Sequence, residues 1–302
     1  MRGPTCPRWC RRFWSKDSRL PARDADLADL ALLGEAALEA GEIATRYFRA
    51  DPRVWDKGDG QGPVTEADLA VNTHLHDRLR TARPDYGWLS EESDPLGDLS
   101  RLEQETTFVV DPIDGTRAFI DGQPGFAHAL AVLRAGEPVA AVVHLPALSL
   151  TYAAARGAGA TLNGDAIAAT TRAEAEGATI LCARPALDPV HWPGGLPPVK
   201  RQFRPSLAWR LALVGEGRFD SMLTIRDAWD WDIAGAALIA TEAGATVTDR
   251  HGRALSFNRA DARNAGVVAA GPALHGILIA GLGGGLGGAV GQHRQEGQGN
   301  GA

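Results

Sequence analysis

The run Thr107-Phe108-Val109-Val110 is apolar and rich in strand-forming residues, and it leads directly into Asp111-Pro112-Ile113-Asp114-Gly115-Thr116. A short apolar run of this kind reads as a buried strand, so both carboxylates leave its end together. Pro112 fixes φ and removes a backbone donor, and Gly115 permits a tight turn. Two acids three residues apart that converge on one spot repel each other unless a cation neutralises them. The N–H groups of Gly115 and Thr116 then lie where an anion docks. Oxygen ligands beside an anion cradle point to Mg²⁺-dependent phosphate chemistry. Any fold for this chain must present that segment at a strand end.

Composition narrows the class. At 302 residues the chain forms one large domain or two small ones, and either size buries a core. A formal net charge of −6 argues against a protein that coats a nucleic-acid polymer, which needs clustered Lys and Arg. It leaves a small anionic substrate open, because a bound metal supplies the positive field locally. The cysteines Cys6, Cys10 and Cys182 are sparse and odd in number, which fits a reducing cytoplasm. Cys6 and Cys10 have no second Cys/His pair nearby to complete a zinc site.

Residues 1–23 are rich in Arg, Trp and Pro without the apolar core of a signal peptide, and read as a flexible extension. Residues 281–302 read as a disordered Gly-rich tail. The stretch Ala273–Val290 is broken by glycines and His275, so no transmembrane segment is expected. The chain is read as cytoplasmic, at most peripheral at the inner membrane.

Between these ends, helical periodicity spans Asp24 to Ala50 and Thr65 to Arg80, with Thr65 as N-cap. A short strand at Tyr86–Ser90 ends in Glu91-Glu92, and Phe126–Ala155 reads as two β-runs joined at Ala135-Gly136-Glu137-Pro138. Further on come a strand at Ala178–Ala183, a helix at Leu207–Val214 and a strand at Phe219–Leu223. A helix at Asp232–Gly244 and a strand at Val267–Ala270 complete the series. The stretch Asp188–Pro205 holds five prolines and reads as a surface loop or lobe junction. The order implies a layered α+β or α/β chain in two lobes, 24–170 and 171–280.

Four acidic spots recur at element ends: Asp68, Glu91-Glu92, Asp111/Asp114 and Asp232. Singly, Asp68 reads as a first-turn helix acid, Glu91-Glu92 as a charged loop and Asp232 as a helix-start acid facing the macrodipole. Together, in the blocks Val64–Asp68, Trp88–Ser93, Asp111–Thr116 and Trp231–Ala236, they resemble the inositol monophosphatase superfamily of Mg²⁺-dependent, lithium-sensitive phosphatases. The resemblance covers about residues 25 to 278. It implies alternating α and β layers, with Glu91, Asp111, the Ile113 carbonyl, Asp114 and Asp232 as ligands of two or three Mg²⁺ ions. Glu92 sits beside the ligands and supports them. Asp68 and Thr116 match the residues that position the attacking water, with Glu91 helping to polarise it. The Gly115 and Thr116 amides match the phosphate cradle. The implied reaction is attack of a metal-activated water on a phosphate monoester.

The residue after the cradle departs from the inositol-specific pattern. Arg117 resembles the 3′(2′),5′-bisphosphate nucleotidases of the CysQ type and, less closely, histidinol-phosphatases. Arg117 either meets a second substrate phosphate or pairs at the surface with Asp121 or Glu92. Trp209, Arg210, Arg226 and Trp229 either stack on a base or hold a phosphate, or belong to the core, and His128 and His144 read as packed or edge histidines of the strands. The substrate is expected to be a small phosphorylated metabolite, 3′-phosphoadenosine 5′-phosphate first, with inositol 1-phosphate and histidinol phosphate as alternatives. A homodimer is common among such enzymes. A non-catalytic protein on the same scaffold is the other class, disfavoured by the intact ligand set.

Overall fold

The computed structural model describes residues 23–58, 62–93 and 99–283. The readings of 1–22, with Cys6 and Cys10, and of 284–302 lie outside the described residues.

Helix α1 (Asp24–Tyr47) opens on Asp24 and Asp26 and buries Leu30, Leu33, Ala37, Ala40 and Ala44 on one side. It stops short of Ala50, and Arg49 and Asp51 then take left-handed backbone angles that no helix continues. A small hairpin, β1 (Val54–Asp56) and β2 (Pro63–Thr65), leads to α2 (Glu66–Ala82). Thr65 caps α2, and the Asp68 side chain returns to the Thr65 backbone, so both orphan ends are satisfied.

Seven strands form the larger sheet in simple order: β3 (Gly87–Ser90), β4 (Thr106–Asp114), β5 (Ala127–Arg134), β6 (Glu137–Leu145), β7 (Leu150–Ala155), β8 (Gly159–Leu162) and β9 (Asp165–Ala166). Only β3 and β4 run parallel. The second β-run read from the sequence is two strands, because the 3₁₀ turn Pro146–Leu148 interrupts it. The short helix α3 (Thr116–Ile120) follows β4 directly.

The smaller sheet has the order β11-β10-β12-β16-β14, built from β10 (Thr179–Leu181), β11 (Lys200–Gln202), β12 (Ser221–Thr224), β14 (Thr246–Thr248) and β16 (Val267–Ala270). The Pro-rich stretch is not loop throughout: Lys200–Gln202 pairs parallel to β10 as an exposed edge strand. Helix α4 (Leu207–Gly215) and helix α5 (Asp230–Glu242) lie between the sheets, with the short pair β13 (Ala228–Trp229) and β15 (Arg263–Asn264) beside α5. Helix α6 (Pro272–Gly281) covers the outer face of the smaller sheet.

Three apolar clusters define five layers. Leu30, Leu33, Val71 and Leu75 of α1 and α2 pack on Phe108, Val110, Leu130 and Val132. On the opposite face, Leu213, Ile233 and Ile239 of α4 and α5 meet Val109, Ala129 and Val143, and the same cluster takes in Leu181, Met222 and Ala269 of the smaller sheet. Leu274 and Leu278 of α6 close the far side against Ile180 and Val268. The alternating helix and sheet layers expected from the sequence are therefore present. Helix α5 is buried nearly all round, as a central helix must be. Gly235 lets it approach the sheet, since a Cβ there would lie 2.9 Å from the Leu130 carbonyl. No helix among the described residues is long and apolar enough to cross a membrane.

A buried ionic cluster ties α1 to α2 and the sheet. Asp29, 1% exposed, accepts from Arg83 Nε and the Tyr86 hydroxyl at 3.0 Å each, and Arg134 bonds the neighbouring Asp26. Burial raises the Asp29 pKa despite these partners, so the cluster fixes geometry more than it adds stability. Asp29→Ala, which strands Arg83 and Tyr86, is expected to lower unfolding free energy by ~3 kcal/mol, read by urea denaturation.

Candidate active site

In a regular strand, residues three apart point to opposite faces. In β4, Asp111 pairs with Ala129 but Asp114 pairs with Ala127, so β4 carries one extra residue, a β-bulge. The packing shows the consequence. Val109 faces α4 and α5 while Val110 faces α1 and α2, yet beyond the bulge Ile113 shares the face of Val110. Asp114 therefore turns to the side of Asp111.

Asp232, in the first turn of α5, completes the group: carboxylate oxygens of Asp111, Asp114 and Asp232 lie within 4.8 Å of one another. Asp111 and Asp114 are buried, and Asp111 Oδ1 has no hydrogen-bond partner. Burial, then the charges of Glu91, Asp114 and Asp232, push Asp111 well above the usual carboxylate range. Burial, Asp114 and Glu91 do the same to Asp232. Asp114 is also raised by burial, opposed by donors: Ser206 Oγ and the Ala208 N–H both reach its Oδ2 at 2.6 Å. That oxygen thus sits on the first turn of α4, where the helix dipole favours an anion. Three converging carboxylates with an orphaned oxygen are a poor arrangement for protein alone and a good one for a divalent cation that takes oxygen ligands. The site fits such a metal.

Glu91 and Glu92 stand at the rim. Lys57 donates to both, at 2.9 Å and 2.7 Å. Burial works against the Lys57 charge, but the two glutamates outweigh it and raise its pKa. Burial raises Glu92 to about 7. Lys57 is one of two residues here that the sequence did not single out. Its signal was present: it is one of three lysines in the chain and lies in a Gly-rich turn just before the Val64–Asp68 block. Ser206 was missed as well, although a serine before a helix is a standard cap and its side chain indeed accepts from Trp209 N.

The expected Thr116–Asp68 pair forms. Thr116 Oγ1 lies 3.3 Å from Asp68 Oδ1 and 3.1 Å from the Ile113 carbonyl, and its single proton is shared between them. The other oxygen of Asp68 takes the Thr65 N–H and hydroxyl at 2.8 Å and 2.6 Å. Burial raises Asp68 to about 6. Gly115 turns the chain at φ +97°, and a Cβ there would meet the Gly125 carbonyl at 3.4 Å. Arg117 is exposed and lies beside Gly62 of the hairpin loop. It forms no ion pair among the described residues; Glu92 is held by Lys57 instead.

The structure buries two of the other substrate-side residues, Trp209 and Arg210. Trp209 is buried in the central core. Arg210 is buried too, and its guanidinium donates to the Arg204 and Pro205 carbonyls. The Trp229 ring stacks on Trp231 at 4.5 Å and carries the Arg263 guanidinium at 3.8 Å, and it is half-buried. Arg226 is exposed. His128 and His144 are packed strand histidines, as read.

Comparison with known proteins settles the kinship. The model of the inositol monophosphatase family matches residues 28–283. The chain belongs to the inositol monophosphatase family. An inositol-1-monophosphatase of Rhizobium meliloti is 33% identical over 234 residues, covering 74% of this chain and 86% of that protein. A histidinol-phosphatase of Chlorobaculum parvum is 32% identical over 268 residues, covering 85% of this chain and 97% of that protein. The crystal structure of the extragenic suppressor protein SuhB from Bartonella henselae superposes with a TM-score of 0.73 at 27% identity, covering 85% of this chain and 99% of that one. The chain is thus a Mg²⁺-dependent phosphatase of this family.

The raised acids give a pH signature in metal-free protein. Asp111, Asp232 and Glu92 keep protons when folded that the unfolded chain releases near about pH 4, so stability is lost as pH rises through the folded values. Burial pushes His128 and His144 down to about 3 and 4, and they add little slope above about pH 7, where unfolded histidine is also mostly neutral. Around pH 7, where Glu92 gives up its proton, the metal-free protein is expected to lose stability as pH rises, by no more than ~1.4 kcal/mol per pH unit for that group. Saturating Mg²⁺ should abolish that slope. Thermal melts with and without chelator check this; a metal-free Tm that rises with pH would refute it.

Proposed function

We propose that Glu91, Asp111, the Ile113 carbonyl, Asp114 and Asp232 hold two or three Mg²⁺ ions and that the chain hydrolyses a phosphate monoester bearing a second anionic group. The leading class is 3′(2′),5′-bisphosphate nucleotides, such as 3′-phosphoadenosine 5′-phosphate giving AMP and phosphate. One observation carries the chemistry: three carboxylates crowd together beside the Thr116–Asp68 pair, with one buried oxygen unpartnered.

Bound Mg²⁺ supplies the charge that offsets this crowding, lowers the pKa of a water and stabilises the leaving oxygen. The chain does the rest. Asp68, anchored on Thr65, keeps an oxygen toward Thr116, so the threonine lone pairs face outward to orient the attacking water. The Gly115 and Thr116 amides open α3 and stand where phosphate oxygens dock. Glu92 and Lys57 hold Glu91 at the rim. Arg117, exposed and unclaimed by a described acid, supports recognition of the second anion.

A second reading has its own support. The histidinol-phosphatase relative matches over nearly its whole length, so histidinol phosphate is the first alternative, with inositol 1-phosphate beside it. Parallel kcat/KM values on the three substrates decide among them. Arg117→Ala should reduce kcat/KM on the bisphosphate ~10-fold or more while sparing inositol 1-phosphate. Equal losses on both would remove Arg117 from substrate choice.

Asp111→Asn is expected to abolish turnover while the protein stays folded, checked by phosphate release and circular dichroism. Mg²⁺-dependent activity retained in that variant would sink the metal assignment. No phosphate release by the wild type, with or without Mg²⁺, would favour a binding role on the same scaffold.

A further inference from the structure

The bulge that aligns Asp111 and Asp114 leaves a gap in the sheet's hydrogen bonding. Between the pairs Asp111–Ala129 and Asp114–Ala127, two β4 residues, Pro112 and Ile113, oppose the single β5 residue His128. The extra residue of a bulge has no ladder partner. A buried carbonyl left bare there loses a hydrogen bond it had in water.

His128 fills the gap with its side chain. Its ring is fully buried, and Nδ1 bonds the Pro112 carbonyl. A carbonyl only accepts, so Nδ1 carries the proton and the ring is the neutral Nδ1–H tautomer. Nε2 is then an acceptor, and it has no partner in its buried place. The ring of His144 lies 6.1 Å away, centre to centre, and burial lowers the basicity of both. A polar ring kept in the core with one nitrogen unsatisfied needs a reason. An apolar residue would fill the space without that penalty. Its position also matters: His128 shares the face of Leu130 and Val132, toward α1 and α2, whereas the acids emerge on the other face. The ring touches neither carboxylate and acts only through the peptide between them.

We infer that His128 is a positioning residue: by donating to the Pro112 carbonyl it holds the β4 bulge and so keeps Asp111 and Asp114 aimed at one cation. The inference rests on reading those two aspartates as metal ligands. Without the donor, β4 is freer to slip toward a regular register, which would rotate Asp114 off the face it shares with Asp111.

The test compares three full-length variants by calorimetric titration with Mg²⁺ alone. His128→Leu keeps bulk but has no donor, and His128→Asn places an amide N–H where Nδ1 lies. His128→Val is the strand-forming substitute should the leucine variant not fold. Leu or Val is expected to weaken Mg²⁺ binding about 10- to 100-fold, the range seen when supporting hydrogen bonds behind metal ligands are removed. Asn should restore near-wild-type affinity, and the gain in Tm on adding Mg²⁺ should shrink and recover in step. Unchanged Mg²⁺ affinity in Leu or Val, whatever happens to the metal-free Tm, would overturn the inference and leave His128 a packing residue. Asn failing to restore affinity would overturn it as well. A wild type that takes up no Mg²⁺ would instead refute the metal reading on which it stands.

Discussion

Mutual repulsion among crowded carboxylates is the constraint around which this molecule is arranged. Asp111, Asp114 and Asp232 sit closer together than charged acids tolerate without a cation. Every nearby feature either enforces that closeness or tempers it. The β4 bulge enforces it by turning Asp114 to the side of Asp111. Donors from Ser206 and Ala208 temper it at Asp114, and Lys57 tempers it at Glu91 and Glu92. Three crowded acids of this kind suit a divalent cation that takes oxygen ligands.

The layers explain how distant parts of the chain reach one point. Helices α4 and α5 lie between the two sheets, and their N-termini bring Ser206 and Asp232 to the end of β4. Both helix starts favour negative charge, so the scaffold itself contributes to holding the acids. The close contact of Gly235 with the Leu130 carbonyl sets the depth of α5 on the larger sheet. The first strand pair and α2 supply the opposite wall, where the Thr65 cap fixes Asp68 in reach of Thr116.

Much of this was legible in the chain. Helix α2 and its Thr65 cap, the β-runs around Ala135-Gly136, helix α4 and strand β16 follow from periodicity and turn chemistry, which are local. Long-range pairing was not legible. Lys200–Gln202 becomes a strand only because β10 offers an edge, and the proline-rich stretch around it gave no local sign. The substrate side shows the same limit. Trp209, Arg210 and Trp229 carry suitable chemistry, but packing decides that the first lies in the core, the second holds loop carbonyls and the third stacks on Trp231. Lys57 was overlooked because a single lysine in a turn carries no periodic signal; its meaning comes from the two glutamates it meets.

By itself, the sequence determined the chemistry: the acids, the strand that carries two of them, the glycine turn after it and the threonine that meets Asp68. Residue types, and the covalent order of Asp111 to Thr116, are written in the chain itself. Only the tertiary structure decided which side of the sheet Asp114 faces, which cations already have partners and which aromatic rings are open. Those outcomes depend on strand register and on burial, and both are set by contacts between residues far apart in the chain.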